Sequence, residues 1–229
     1  MKKILISTGG SGGHVVPATI LYEHLSSSFD VQIVSDYRGS KFIDKNFYKC
    51  CVIDAPKISK NIFFAPLFLI LFTISIIKSF KFLKQNNIHY LISTGGYMSL
   101  PFCIAAKLLN LNIFLFEPNM VIGRSNNLMV RFSKKIFCYN ENIINFPSKF
   151  KKKIVVIERL LKKNIFTSNN SKKERSSYFK ILIVGGSQGA SFFDNSIKQV
   201  ISEFSIKKKT FILQQVSNEE KKEEIKKTY

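Results

Sequence analysis

The chain of 229 residues carries a formal net charge of +20, and 45% of its residues are hydrophobic. This hydrophobic fraction excludes a disordered chain, and the length predicts one α/β domain and part of a second. The charge alone does not indicate nucleic acid: AT-rich coding also produces many Lys, Asn, Ile and Phe residues without Trp, and no nucleic-acid-binding motif is present. The four cysteines lack CxxC spacing and partnered histidines, which predicts a reduced cytosolic location and no metal site.

Short apolar segments alternate with helical segments in the first part of the chain, which predicts a parallel sheet with crossover helices. Strands are predicted at 3–7, 31–35, 90–94, 112–116, 135–138 and 153–157. Helices are predicted at 16–27, with Pro17 in the first turn, and near 101–109 and 123–132. Residues 1–160 are therefore assigned to a Rossmann-like domain.

A further helix is predicted over residues 61–77, a stretch of 17 residues without charge. Around it, residues 55–116 contain six lysines and no acid, namely Lys57, Lys60, Lys78, Lys81, Lys84 and Lys107. An apolar helix with flanking lysines suits the surface of an anionic membrane, so residues 61–84 are predicted to dock there. One alternative is a wholly internal helix. Another is a membrane span, for which 17 residues with Pro66 is at the lower limit.

The remainder of the chain predicts a linker and the beginning of a second domain. Residues 161–178 are polar and are assigned to the linker. In residues 179–229, strands are predicted at 179–184 and 210–213, with a helix between them to about residue 204 and a charged helix at 218–227. Two strands do not make an independent sheet, so this second domain is expected to be incomplete.

Three glycine loops each follow a predicted strand: Gly9-Gly10-Ser11-Gly12-Gly13-His14, Gly95-Gly96-Tyr97 and Gly185-Gly186-Ser187-Gln188-Gly189-Ala190. A helix that starts after such a loop directs free N–H groups at an anion, which predicts phosphate binding. None has the Lys-Ser/Thr ending of a Walker A loop. Asp36 lies at about the spacing at which a dinucleotide-binding fold places its ribose-binding acid. The first loop does not have the GxGxxG pattern of that fold, so dinucleotide binding is only weakly indicated. His14 is either a proton-transfer group or a structural residue.

Four segments together resemble the MurG family of glycosyltransferase family 28. Residues 9–18, GGSGGHVVPA, resemble its GGTGGHxxPA opening, and residues 95–101, GGYMSLP, resemble its GGYxSxP loop. Glu117-Pro118-Asn119 with Gly123 is similar to its EQNxxxG segment, and residues 185–190 match GGSQGA. The resemblance extends from Met1 to about Leu213 and implies a GT-B fold, which is two Rossmann-like domains with a cleft between them.

The resemblance also implies an activity: inverting transfer of N-acetylglucosamine from UDP-N-acetylglucosamine to the undecaprenyl-diphosphate-linked muramyl-pentapeptide, which is lipid I to lipid II, without metal or other cofactor. His14 is then the catalytic base. The residues that bind substrate are Ser11, Gly12, Gly13, Gly95, Gly96, Tyr97, Asn119, Lys162, Ser187, Gln188 and Gly189. The location implied is peripheral, at the cytoplasmic face of the bacterial plasma membrane.

The sequence departs from the family at several positions. The family's GNPxR segment aligns with residues 158–162, ERLLK, where Lys162 stands in place of the arginine. Phe116 and Pro118 replace a histidine and a glutamine. The family's uridine- and sugar-binding segments follow the matched region, so the sequence predicts a truncated or split enzyme completed by a second polypeptide. The alternative is a non-catalytic membrane-surface module that binds the lipid diphosphate.

Overall fold

The structure is a computed structural model that describes residues 1–56, 65–163, 165, 177–185 and 190–227. The chain divides into two compact units, Met1–Ser168 and Asn169–Tyr229. The predicted linker bounds stay a prediction.

The first unit is an alternation of strands and helices. Its strands are β1 (Lys3–Ser7), β2 (Asp30–Ser35), β3 (Cys50–Val52), β4 (Tyr90–Ser93), β5 (Asn112–Glu117), β6 (Lys135–Cys138) and β7 (Ile154–Val156). Its helices are α1 (Gly12–Leu25), α2 (Tyr37–Ser40), α3 (Ala65–Gln85), α4 (Ser99–Leu108) and α5 (Arg124–Met129), and a 3-10 helix covers Ser148–Lys153. All six predicted strands are confirmed to within one residue at each end.

The seven strands form one parallel sheet in the order β3-β2-β1-β4-β5-β6-β7. Two hydrophobic clusters cover its faces, one around Leu5, Leu91 and Leu115 and the other around Ile6 and Ile33. Leu5 and Ile6 are neighbours in β1 and are both fully buried. Burial on both faces explains why these strands are continuous apolar runs in the sequence.

Helix α1 differs from its prediction. It begins at Gly12, whereas the sequence predicts a start at residue 16 with Pro17 in the first turn. Ser11 has the extended backbone of an N-cap residue, so the helix begins directly after it and Pro17 lies inside the helix. Because of this earlier start, His14 belongs to the first turn of α1.

Helix α3 continues past the predicted end at residue 77 to Gln85. The helix continues through the lysines that follow residue 77, because these lysines lie on its solvent side. Lys78, Lys81 and Lys84 are exposed, whereas Ser79 and Leu83 on the other side are buried. Residues 57–64, which include part of the predicted helix, lie outside the described residues.

The second unit contains a two-stranded parallel sheet of β8 (Phe179–Ile183) and β9 (Thr210–Gln214). Its helices are α6 (Ala190–Ser196), α7 (Lys198–Lys207) and α8 (Glu219–Lys226). The single helix predicted before residue 204 is therefore two helices, and the predicted charged helix at the end is confirmed as α8. Buried Asp194 accepts hydrogen bonds from Ser217 Oγ at 2.6 Å and Ser217 N at 3.0 Å, which tie α6 to the segment after β9.

Candidate functional site

The first two glycine loops lie side by side at the carboxyl edge of the seven-stranded sheet. They follow β1 and β4, which are hydrogen-bonded neighbours. The chain leaves β1 toward one side of the sheet and β4 toward the other. Such a switch point opens a crevice outside the carboxyl ends of the strands, where α/β proteins bind their ligands.

The two loops touch through their backbones. Gly96 has a φ of 83°, and a Cβ atom at this position would lie 2.6 Å from the carbonyl oxygen of Gly9. Gly10 and Gly95 also have positive φ angles, of 85° and 98°. L-amino acids rarely adopt this conformation, so backbone geometry favours glycine at all three positions, and at Gly95 and Gly96 the space for a side chain is also occupied. A side chain at Gly96 would force the loops apart.

His14 connects the two loops. Its Nδ1 atom lies 3.0 Å from the carbonyl oxygen of Thr94, and the Thr94 hydroxyl donates to the carbonyl oxygen of His14 at 2.9 Å. A carbonyl oxygen only accepts, so Nδ1 carries the proton in this bond. The neutral imidazole then has its lone pair on Nε2, which is the tautomer that a general base needs.

The N-terminus of α1 supplies hydrogen-bond donors at the same place. Ser11 is the N-cap residue, but its side chain makes no capping hydrogen bond. The first amide groups of a helix have no intrahelical acceptor and carry the positive end of the helix dipole. Gly12 and Gly13 have no side chains of their own to block these N–H groups, which suits a bound phosphate.

A buried carboxylate fixes the backbone of the first loop. Asp36 is 2% exposed, and its Oδ1 atom accepts hydrogen bonds of 2.8 Å from the backbone N–H groups of Gly10 and Gly39. Its Oδ2 atom accepts from the Tyr97 hydroxyl at 3.5 Å. Burial, followed by the charge of Asp36, raises the pKa of Tyr97 above its usual 10.0, so it remains a donor at neutral pH. Asp36 thus organises the loop, and its carboxylate is not free for a ribose.

Glu117 organises the segment after β5 in the same way. Its carboxylate is 1% exposed and accepts hydrogen bonds from Asn119 Nδ2 at 2.9 Å, Gly123 N at 2.8 Å and Asn126 Nδ2 at 3.0 Å. Asn126 is buried behind the second loop, because a Cβ at Gly95 would lie 3.7 Å from its Nδ2 atom. Asn119 was predicted from the sequence. The roles of Glu117 and Asn126 were not, because they depend on contacts that only the fold creates.

Of the remaining predicted site residues the structure describes only Lys162, which does not lie at these loops. Lys162 lines a cavity of about 590 Å³ together with Tyr22, Glu23, Ser26, Asp44, Phe47, Tyr48 and Lys163. Glu23 lies about three helical turns from the start of α1, so this cavity is at the other end of the helix. Ser187, Gln188 and Gly189 fall outside the described residues.

The described residues contain no group of three His, Cys, Asp or Glu side chains that could hold a metal ion. All four cysteines are free thiols. Burial raises the pKa of Cys103 to about 12, so this thiol stays protonated and is a poor ligand or nucleophile.

One side of helix α3 is an exposed apolar surface, which we call the α3 face. Six of its apolar side chains are more than two fifths exposed: Leu67, Leu69, Ile70, Leu71, Ile74 and Ile77. The opposite side of the helix packs on the core through Phe72, Ile76 and Phe80. The helix is therefore not wholly internal, which excludes that alternative. By length and mean hydropathy (1.8), residues Pro66–Gln85 could also cross a membrane.

Comparison with known proteins identifies close relatives. Residues 4–138 match the glycosyltransferase family 28 N-terminal domain. The chain is 50% identical over 217 residues to the UDP-N-acetylglucosamine–N-acetylmuramyl-(pentapeptide) pyrophosphoryl-undecaprenol N-acetylglucosamine transferase of Pelagibacter ubique. The match covers 95% of this chain and 61% of that protein. The chain thus spans about three fifths of the length of this curated relative.

Solved structures that are similar in fold include two glycosyltransferases. The crystal structure of MurG from Acinetobacter baumannii superposes with a TM-score of 0.65 at 23% identity, covering 89% of this chain and 58% of that one. A glycosyltransferase from Rickettsia africae superposes with a TM-score of 0.66 at 16% identity, covering 99% of this chain and 64% of that one. These similarities confirm the predicted α/β fold of the GT-B type.

Proposed function

The chain belongs to glycosyltransferase family 28, and we propose that it forms the acceptor-binding side of an inverting N-acetylglucosaminyltransferase. The proposed reaction moves N-acetylglucosamine from UDP-N-acetylglucosamine to the undecaprenyl-diphosphate-linked muramyl-pentapeptide, which converts lipid I to lipid II in peptidoglycan synthesis. The observation that carries the proposal is the pair of touching glycine loops with the Nε2 atom of His14 available beside them.

The acceptor diphosphate would bind across the two loops. Gly12 and Gly13 offer helix N-terminal N–H groups, and Gly95, Gly96 and Tyr97 line the other side. No side chain at the glycine positions prevents the backbone from approaching the phosphate oxygens.

His14 would act as the general base. Its Nε2 atom takes the proton from the acceptor hydroxyl while that oxygen attacks the anomeric carbon of the donor sugar. The bond between the anomeric carbon and UDP breaks, and UDP leaves with the electron pair. Attack opposite to the leaving group inverts the anomeric configuration, and Thr94 holds the resulting imidazolium in place through Nδ1.

Donor contacts form the second part of the proposal. Asn119 would contact UDP-N-acetylglucosamine, because Glu117 holds its side-chain amide at the carboxyl edge of the sheet. Ser187, Gln188 and Gly189 would approach the donor phosphates, and Lys162 is kept as the counterpart of the family's arginine. A second polypeptide would supply any donor contacts that this chain does not provide.

The α3 face would hold the protein on the cytoplasmic leaflet of the plasma membrane as a peripheral protein. The exposed apolar side chains offer burial in the acyl boundary, and Lys78, Lys81 and Lys84 offer attraction to anionic headgroups. This would place the loops near a lipid-embedded acceptor.

A non-catalytic module that binds the lipid diphosphate is the second candidate. It is favoured by the position of Lys162, which lies beside Glu23 at the far end of α1 instead of at the loops. The segment around Lys162 also lacks the glycine, asparagine and proline of the family.

Sugar transfer onto lipid I in vesicles separates the two candidates. The assay uses this chain alone and this chain with the part of the Pelagibacter ubique relative that it does not match, each compared with His14→Gln. Transfer in either arm that His14→Gln abolishes supports the enzyme. Folded protein that binds a prenyl diphosphate but transfers nothing in both arms supports the module, and absence of diphosphate binding contradicts both.

A further inference from the structure

The short helix α2 is fixed against the first glycine loop. A Cβ atom at Gly39 would lie 3.0 Å from the Cα atom of Gly9, so the two backbones are in contact. The carboxylate of Asp36 accepts hydrogen bonds from Gly10 N in the loop and from Gly39 N in α2. Contact and shared carboxylate together give α2 a defined position over the loop, although it has only four residues.

Arg38, next to Gly39, places its guanidinium beside the loop. Its Nη2 atom lies 3.6 Å from where a Cβ at Gly10 would be, and its side chain is exposed. The ion pairs found within the described parts of the chain do not include it. Because none of these ion pairs joins Arg38 to a carboxylate, its guanidinium retains its capacity to bind an anionic ligand.

We propose that Arg38 binds a phosphate group of the lipid acceptor's diphosphate; this rests on the proposed function. Asp36 puts a buried negative charge directly under the loop, which opposes a bound diphosphate. The exposed guanidinium of Arg38, which lies beside Gly10, offsets that charge. Its planar fork can donate to two phosphate oxygens at once, which an ammonium group cannot reproduce.

A diphosphate could come from the lipid acceptor or from the nucleotide donor, and Phe42 favours the lipid. The ring of Phe42 lies 3.7 Å from where a Cβ at Gly12 would be, and this side chain is 50% exposed. An apolar ring beside the phosphate-binding N–H groups suits the first isoprene units of a prenyl chain. It offers no hydrogen bond to a uridine or ribose.

Calorimetric titration of the whole chain with inorganic pyrophosphate, farnesyl diphosphate and UDP tests the proposal. We expect Arg38→Gln to weaken binding of pyrophosphate and farnesyl diphosphate about tenfold, and Arg38→Lys about threefold, because the charge stays but the fork is lost. Phe42→Ser should weaken only farnesyl diphosphate. The matched control is Arg131→Gln, which removes the same charge from an exposed arginine just after α5. Thermal unfolding checks that each variant is folded.

The outcomes distinguish this proposal from the function on which it rests. If the unchanged protein binds neither pyrophosphate nor farnesyl diphosphate, the proposed function fails and Arg38 loses its role. If it binds them and Arg38→Gln binds them equally well, only the role of Arg38 is overturned. An equal loss in Arg131→Gln would mean general charge attraction, and a loss confined to UDP would assign Arg38 to the donor; both overturn the proposal.

Discussion

The loop edge of the sheet and the α3 face would each bind part of one lipid, but they are built differently. At the loop edge, buried Asp36 and Glu117 fix individual backbone N–H groups at distances of 2.8 Å. On the α3 face, exposed leucine and isoleucine side chains have no fixed polar partner, and only their summed area and the neighbouring lysines give the surface its character.

A single residue therefore matters more at the loop edge than on the α3 face. When one partner of a buried hydrogen bond is removed, the other partner is left unsatisfied. One substitution at the loop edge therefore has a large effect on stability. Apolar area is roughly additive, so one substitution on the α3 face removes only a fraction of the binding.

His14→Gln has the largest expected effect. A side chain that cannot accept the proton should slow sugar transfer at least about 100-fold, because general base catalysis contributes on that order. Farnesyl diphosphate binding, measured by calorimetry, should stay within about threefold of the unchanged protein. The matched control is His24→Gln at the other end of α1, where transfer should be unchanged. Parallel loss of transfer and binding in His14→Gln would make it a binding residue instead.

Gly96→Ala should lower the free energy of unfolding by about 3 kcal/mol in urea titrations, since it combines a positive φ with a close contact to Gly9. Gly13→Ala is the matched control, because a Cβ there would meet only Ser11 Oγ at 3.6 Å. It should stabilise the helix by up to about 1 kcal/mol. Equal destabilisation by both changes would contradict the contact between the loops.

Glu117→Gln should cost about 2 kcal/mol of folding free energy, because the new NH₂ group would face N–H donors from Asn119, Gly123 and Asn126. Glu158→Gln changes an exposed carboxylate and should leave the unfolding midpoint nearly unchanged. If the two variants unfold alike, the carboxylate of Glu117 does not organise this segment.

Lys81→Gln on the α3 face should weaken binding to phosphatidylglycerol vesicles only about fivefold, since each basic residue near a membrane contributes about 1 kcal/mol. Ile70→Ser should have a comparable effect. Controls in the second unit are Lys208→Gln and Val200→Ser, measured by the same flotation assay. A complete loss of vesicle binding from one α3 substitution, or any loss of vesicle binding in Gly96→Ala, would contradict this difference between the two regions.

The strands of the first unit could be predicted because both faces of the sheet are buried, which leaves continuous apolar runs such as residues 3–7 and 135–138. Strand β3 was missed because Cys50 and Cys51 lack the β-branched side chains that mark β7, the other three-residue edge strand, over Ile154–Val156. Helix α2 was missed because its four residues are too few to produce a helical pattern in the sequence. Its N-terminus is capped by Asp36, which accepts a hydrogen bond from Gly39 N.

Within the site, glycine positions and His14 could be predicted because spacing along the chain carries that information. The roles of Asp36 and Glu117 could not, because the atoms they contact are brought together by folding. Asp36 reaches Gly10 across 26 residues, and no local pattern distinguishes that contact from the ribose-binding acid of a dinucleotide fold.

The two hydrogen bonds exchanged between His14 and Thr94 have a consequence for native-state hydrogen exchange. Opening either loop breaks both bonds, so the amide protons of the two loops should exchange with one shared opening free energy despite about 80 residues of separation. A ligand that contacts only the first loop would then slow exchange in the second, and Thr94→Val would make the two exchange rates independent.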